Sequence, residues 1–169
     1  LKNSAKDRAE NIMIVDMIRN DIGRIAEAGS VETVSRFDVE KYPTVWQMTS
    51  AVRGESAQRH RGAKIAEVMK ALFPCASITG ASKAKTMEII RELETSPRGV
   101  YTGTIGFIAP DGAAQFNVAI RTAVIQGGNA GYGVGGGIVW DSDADAEYDE
   151  ALSKARILTR RFPEFQLLE

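Results

Sequence analysis

GYGVGGGIVWDSDADAEYDEALSK, residues 131–154, runs a glycine-dense apolar segment straight into an acidic segment that can start a helix. Gly131, Gly133, Gly135, Gly136 and Gly137 leave the backbone without side-chain cover, so a ligand can approach main-chain N–H groups directly. Anionic groups are the natural guests of such a concavity. Asp141, Ser142 and Asp143 are good N-cap residues, and beyond them Glu147, Glu150 and Lys154 fall at spacings of three and four, on one helix face. Taken alone, the stretch reads better as a tight strand crossing followed by a dipole-matched helix start, because acidic first turns are common. Gly131, Gly133 and Gly136 also spell G-x-G-x-x-G, but they precede a strand instead of opening a helix and no βαβ unit surrounds them, which argues against a dinucleotide.

Outward from this stretch the texture stays antiparallel. Val100–Ala109, a Pro110-Asp111-Gly112 turn, Ala114–Ala123 and Val124–Gln126 before a glycine-rich turn have hairpin spacing. Arg121 lies in the apolar run Phe116–Val124, where its charge requires either a buried salt bridge or an anionic ligand. On the other side a helix should run from about Asp143 to Phe162 and stop at Pro163.

In the first half, Ser4 is a plausible N-cap for a helix over Ala5–Asn20, whose run Ile12, Met13, Ile14, Val15, Met17, Ile18 is apolar nearly all round and therefore expected to be buried. Its first turns place Asp7 and Glu10 on one face, the same spacing as Glu147 and Glu150. Asp21, at its end, needs a partner if buried. Two strands are expected at Val31–Val39 and Thr44–Val52, then a polar loop, Gly54–Gly62, holding His60 as an exposed residue. A helix over Ala63–Phe73 ends at Pro74, and the small, hydroxyl-rich Pro74–Lys83 leads into another helix reaching about Glu94. Such a segment suits close ligand approach, and it suits a tight helix-to-helix connection as well.

Length and charge bound the function classes. The chain has 169 residues, 44% hydrophobic and 25% charged, with a net charge of −1, so it can bury a core but carries no basic field. Nucleic acid and anionic membranes are disfavoured partners, and no apolar run is long enough to span a bilayer. Cys75 is the only cysteine, so no internal disulfide forms, which fits a reducing cytoplasm. Leu1 stands where a methionine would start a chain and the end, FPEFQLLE, is still apolar, so the sequence is expected to be a piece of a longer protein. Residues 1–162 are read as one catalytic segment and 163–169 as a tail or linker.

In order along the chain, KDRAENIMIVDMIRNDIGRI, KYPTVWQM, SITGASK, RGVYTGTIGFI, FNVAIRTA and GGGIVWDSDADAEYDEALSKA together resemble the C-terminal part of the chorismate-utilising enzymes, closest to component I of para-aminobenzoate (aminodeoxychorismate) synthase. The resemblance implies an α+β fold, antiparallel sheets covered by helices, forming part of an anthranilate/aminodeoxychorismate synthase-like catalytic domain. It implies one Mg²⁺ with Glu10 and Glu150 as direct ligands and Asp7 and Glu147 holding coordinated waters. It implies further that Tyr101 and Arg121 bind the enolpyruvyl carboxylate and that Gly135 and Gly137 supply backbone donors to the substrate. Ser77 would lie near the ring and Lys154 near the acidic pairs. The implied reaction takes chorismate and ammonia from a glutamine amidotransferase to 4-amino-4-deoxychorismate for folate synthesis.

Departures from the family pattern are informative. A histidine that lines the site in pyruvate-eliminating members aligns with Gln47, which leans away from anthranilate and salicylate synthases. The usual S-I-T-G-A-P-K has Ser82 for its proline, and Cys75-Ala76 replaces a Gly-Gly. No lysine here matches the nucleophile of the P-I-K-G-T motif, which would lie upstream of Leu1, so this segment alone is expected to be a poor catalyst. FPEFQLLE resembles a junction to a fused pyridoxal-phosphate-dependent lyase. Alternatives are an anthranilate or isochorismate/salicylate-type synthase, and a non-catalytic segment that self-associates.

Overall fold

The computed structural model describes residues 4–42, 46–57 and 64–160. His60, the expected start of the second strand at Thr44 and the tail 163–169 lie outside them. The chain divides into two compact units, Leu1–Leu93 and Glu94–Glu169.

The first unit is built on α1 (Ala5–Gly23), whose Ser4 N-cap hydroxyl accepts from the Asp7 N–H at 3.2 Å. Strands β1 (Glu32–Lys41) and β2 (Trp46–Arg53) pair antiparallel, from Glu32 opposite Arg53 to Lys41 opposite Trp46. The register slips between Ser35 and Asp38, and there Phe37 takes φ 57°. The irregularity is tied to α1: the Phe37 N–H donates to Ser50 Oγ at 3.1 Å, Ser50 donates to Asn11 Oδ1 at 2.6 Å, and the Arg8 guanidinium stands 4.3 Å from the Phe37 ring centre. Gly54 lets the chain leave β2 against α1, because a Cβ there would lie 2.7 Å from Ile22 Cγ2. Helices α2 (Ile65–Leu72), α3 (Ala76–Thr79) and α4 (Lys83–Leu93) complete the unit, with Ala71 and Ala76 buried.

The expectation that α1 is buried all round is corrected. Val15 is buried, but Ile12 and Met13 remain 48% and 46% exposed. The sheet and the short helices of this unit reach only part of its circumference, while the apolar residues encircle it.

In the second unit β3 (Thr104–Ile108) pairs antiparallel with β4 (Ala114–Val118) across a turn where Gly112 takes φ 88°. Two further bonds at 2.9 Å, from Ala119 N–H to Gly103 and from Thr102 N–H to Ala119, carry the pairing past β4. Strands β5 (Ala123–Gln126) and β6 (Asn129–Tyr132) form a hairpin whose loop is Gly127-Gly128, both at positive φ, the primed turn that matches strand twist. The single strand expected over Ala114–Ala123 is interrupted at residues 119–122. Helix α5 (Ala144–Thr159) is capped by Asp143, whose carboxylate accepts from the Ala146 N–H at 3.0 Å. Among the described residues, the strands thus form three two-stranded antiparallel sheets accompanied by helices, an α+β architecture.

Candidate active site

In the second unit the glycine strip is two-sided. A Cβ on Gly133 would fall 2.4 Å from Tyr101 Cγ, and one on Gly135 would fall 2.9 Å from Tyr101 Oη. A Cβ on Gly136 points to α5 instead, 3.1 Å from Glu147 Oε2 and 3.9 Å from Lys154 Nζ. Extended backbone alternates its faces in this way, so the strip lies between a tyrosine ring and an acidic helix start. Any side chain at Gly133 would displace the ring. Gly137 meets nothing within 4 Å, so no steric demand of this kind applies there. Among the described residues, nothing accepts from the N–H groups of Gly135 and Gly137.

Lys154 links the helix to the strip. Its ammonium donates to the Gly135 carbonyl at 2.8 Å and pairs with Glu150 Oε1 at 2.6 Å. Glu147 is held from its other side: Ser142 Oγ donates to Glu147 Oε1 at 2.7 Å, while the Val139 N–H donates to Ser142 Oγ at 3.0 Å. Ser142 reads in the sequence as one of three possible caps. In the structure Asp143 caps the helix and Ser142 orients a carboxylate.

Tyr101 is the polar wall opposite. Burial pushes its phenol above the usual value of 10.0, with the Glu94 charge acting the same way and the Arg98 and Arg121 charges opposing. The hydroxyl therefore stays protonated through neutral pH and can donate. Arg98 sits 5.9 Å from the Tyr101 ring centre and is clamped by Glu94, to which its Nη2 donates at 2.6 Å. Neither Arg98 nor Glu94 stands out in the sequence as a candidate site residue, since the pair forms across a turn. Arg121 requires a correction: it is exposed, at φ 53° in the interruption after β4, not buried within a strand. A guanidinium pays a lower desolvation cost at such a break, and from there its charge still reaches Tyr101.

In the first unit Asp7 is half-buried and Glu10 exposed on α1. Ser77 is exposed on α3, its Oγ 3.1 Å from Cys75 Sγ. Asp21, at the far end of α1, is 7% exposed and meets its partner in Lys83 Nζ at 2.7 Å. A cavity of about 320 Å³ lined by Arg24, Ile25, Ser56, Ala57, Glu67, Lys70 and Ala71 contains none of the expected site residues. Within neither unit do three or more described His, Cys, Asp or Glu side chains gather for a metal, so the expected ligands come as one acidic pair per unit. Such all-oxygen pairs fit Mg²⁺, which uses few carboxylates and keeps several waters.

Residues 1–160 match the model of the family described as chorismate binding enzyme. The chain belongs to the chorismate-binding enzymes. It is similar to the rice (Oryza sativa subsp. japonica) protein named "Probable aminodeoxychorismate synthase, chloroplastic", 47% identical over 160 residues, which covers 95% of this chain and 18% of that one. Aminodeoxychorismate synthase component 1 of Escherichia coli K12 is 46% identical over 159 residues, 94% of this chain and 34% of its own. Among solved structures, anthranilate synthase component I from Streptococcus pneumoniae TIGR4 superposes with a TM-score of 0.85 at 39% identity, covering 94% of this chain and 36% of that one. This member of the family therefore spans about a third or less of the length of these relatives. None of its described helices is long and apolar enough to cross a membrane.

Proposed function

We propose that this chain is part of an aminodeoxychorismate synthase component I, in which chorismate and ammonia give 4-amino-4-deoxychorismate on the way to para-aminobenzoate and folate. The observation that carries the reading is the glycine strip, with bare N–H groups, a neutral tyrosine on one side and oriented carboxylates on the other. Substrate carboxylates are recognised from three directions. Gly135 and Gly137 donate backbone N–H groups to one carboxylate. The protonated Tyr101 hydroxyl donates to the enolpyruvyl carboxylate, and the Arg121 guanidinium can form a two-pronged bond with it. Ser77 contributes a hydroxyl near the ring. Glu10 and Glu150 are the residues that would bind Mg²⁺ directly, with Asp7 and Glu147 holding its waters. Bound Mg²⁺ supplies charge compensation for the substrate carboxylate and help to the departing hydroxyl. Lys154 holds Glu150 in place and moderates the repulsion among these acids. Ammonia would come from a glutamine amidotransferase partner, and the setting would be cytoplasmic.

The test is incubation of this chain with chorismate, Mg²⁺ and ammonium, with products separated and identified. Mg²⁺-dependent chorismate binding is expected, together with turnover far below that of a full-length family member, because no lysine here matches the P-I-K-G-T nucleophile. Absence of Mg²⁺-dependent binding would overturn the site, and turnover equal to a full-length enzyme would overturn the need for that lysine. A second reading, an anthranilate synthase, is favoured by the 39% identity to the pneumococcal structure. Formation of fluorescent anthranilate in place of 4-amino-4-deoxychorismate would select it, and Gln47 argues against it. A third, self-association, draws on apolar residues such as Trp140 and Ile125, 99% and 78% exposed. A monomeric sedimentation profile would remove it.

A further inference from the structure

We infer that the Asp21–Lys83 ion pair is a latch that positions the turn bearing Ser77, so that α1 sets the placement of a substrate hydroxyl contact as well as carrying an acidic pair. The inference rests on the reading of Ser77 as a substrate contact. Asp21 is the buried charged residue of the described core, and Lys83 is the first residue of α4, immediately after the small-residue turn. Its ammonium reaches Asp21 Oδ2 at 2.7 Å and the Ala71 carbonyl at 3.4 Å, so one side chain joins α1, α2 and α4 around the turn between them.

The hydrogen bonds at both ends of the turn are local, while Ala76 before it is buried. Thr79 Oγ1 donates to the Cys75 carbonyl at 3.2 Å, and Thr86 Oγ1 donates to the Ser82 carbonyl at 3.0 Å. Between them Gly80 takes φ 108°, a conformation that leaves little intrinsic preference for one path of the chain. Removing one member of a buried pair leaves the other charge uncompensated, so the turn would open to hydrate it. Lys83 is thus a positioning residue, acting on Ser77 through the backbone of residues 77–82.

Cys75 supplies the readout, because its Sγ lies 3.1 Å from Ser77 Oγ and it is the only thiol of the chain. In the intact 169-residue protein, modification of Cys75 by a disulfide reagent should be about tenfold faster in Asp21→Asn and Lys83→Met than in the unmodified sequence, reflecting local opening of the turn. Lys83→Arg, which keeps the charge, should stay within about twofold of the unmodified rate. Val15→Ala removes buried volume from the same helix and should melt earlier without accelerating the thiol at temperatures well below its melt. Equal acceleration by Val15→Ala, or unchanged rates in Asp21→Asn and Lys83→Met, would overturn the latch. Chorismate with Mg²⁺ should slow modification of the unmodified protein, and failure to do so would overturn the substrate reading on which the inference rests, independently of the variant rates.

Discussion

The starts of α1 and α5 carry the same signature, a capping residue followed by an acidic pair three residues apart, yet their surroundings differ. At α1 the Ser4 hydroxyl accepts from the Asp7 backbone N–H, Asp7 is half-buried and Glu10 is exposed. At α5 both carboxylates are gripped by neighbours, Glu147 by Ser142 and Glu150 by Lys154, and Lys154 is anchored in turn to the Gly135 carbonyl. The second pair is thus oriented in advance, and Lys154, which holds Glu150, is itself fixed by a carbonyl 19 residues before it. Pre-orientation reduces the entropy lost when a ligand binds. Two similar patterns in sequence therefore end in different settings, and the α5 pair is the one whose orientation can be traced to Ser142 and Lys154.

The largest effect should come from removing the proposed direct ligand from either pair. Glu10→Gln and Glu150→Gln are each expected to weaken Mg²⁺-dependent chorismate binding on the order of 100-fold, measured by titration calorimetry. If only one of them does so, the two pairs do not serve one ion. Next, Gly133→Ala should destabilise the protein by about 1–3 kcal/mol through the clash with Tyr101 and should weaken chorismate binding, whereas Gly137→Ala should be far milder in the same denaturant melts. Lys154→Met should cost about 1–2 kcal/mol, since the Gly135 carbonyl loses a charged donor. A smaller cost, about 0.5–1.5 kcal/mol, is expected for Ser142→Ala, with weaker Mg²⁺ affinity and no change in oligomeric state. If Ser142→Ala leaves the ion affinity unchanged, the pre-orientation of the α5 pair has no functional meaning.

The smallest effect is a pH dependence. The Tyr101 phenol is raised above 10.0, chiefly by burial, so its contribution to stability is fully present below that pH and is lost as pH rises through the folded-state value. Tyr101→Phe should flatten the alkaline limb of the stability curve while leaving the neutral region little changed. At acid pH the Glu94 carboxyl, lowered by its bond to Arg98, makes the converse contribution, present above 4.5 and lost as pH falls. An unchanged alkaline limb in Tyr101→Phe would mean that the ring is not buried against the glycine strip in solution.

Much of this was legible in the residues themselves. Local spacing and capping are properties of short windows, so α1, α4, α5 and the paired strands follow from periodicity, turn glycines and caps, with boundaries shifted by a few residues. The resemblance in ordered motifs pointed to the family that the chain matches. Arg121 shows where such reading fails: apolar neighbours suggested a strand interior, but the chain turns at Arg121 and leaves the guanidinium exposed. Hydropathy does not encode a positive φ. Likewise the apolar circumference of α1 says that it can be covered, not that its own unit covers it.

What the sequence alone determined is which residues carry charge, which positions lack a Cβ and where helices can begin, because these are set by chemistry within a few residues. What only the tertiary structure decided is which of those groups meet. Gly133 and Gly136 look alike in the chain, but one lies under Tyr101 and the other faces Glu147 and Lys154. Asp21 and Lys83 are separated by helices and strands, yet they close a buried pair. Contacts of this kind depend on packing, in which one neighbour excludes another, and no local pattern records that choice.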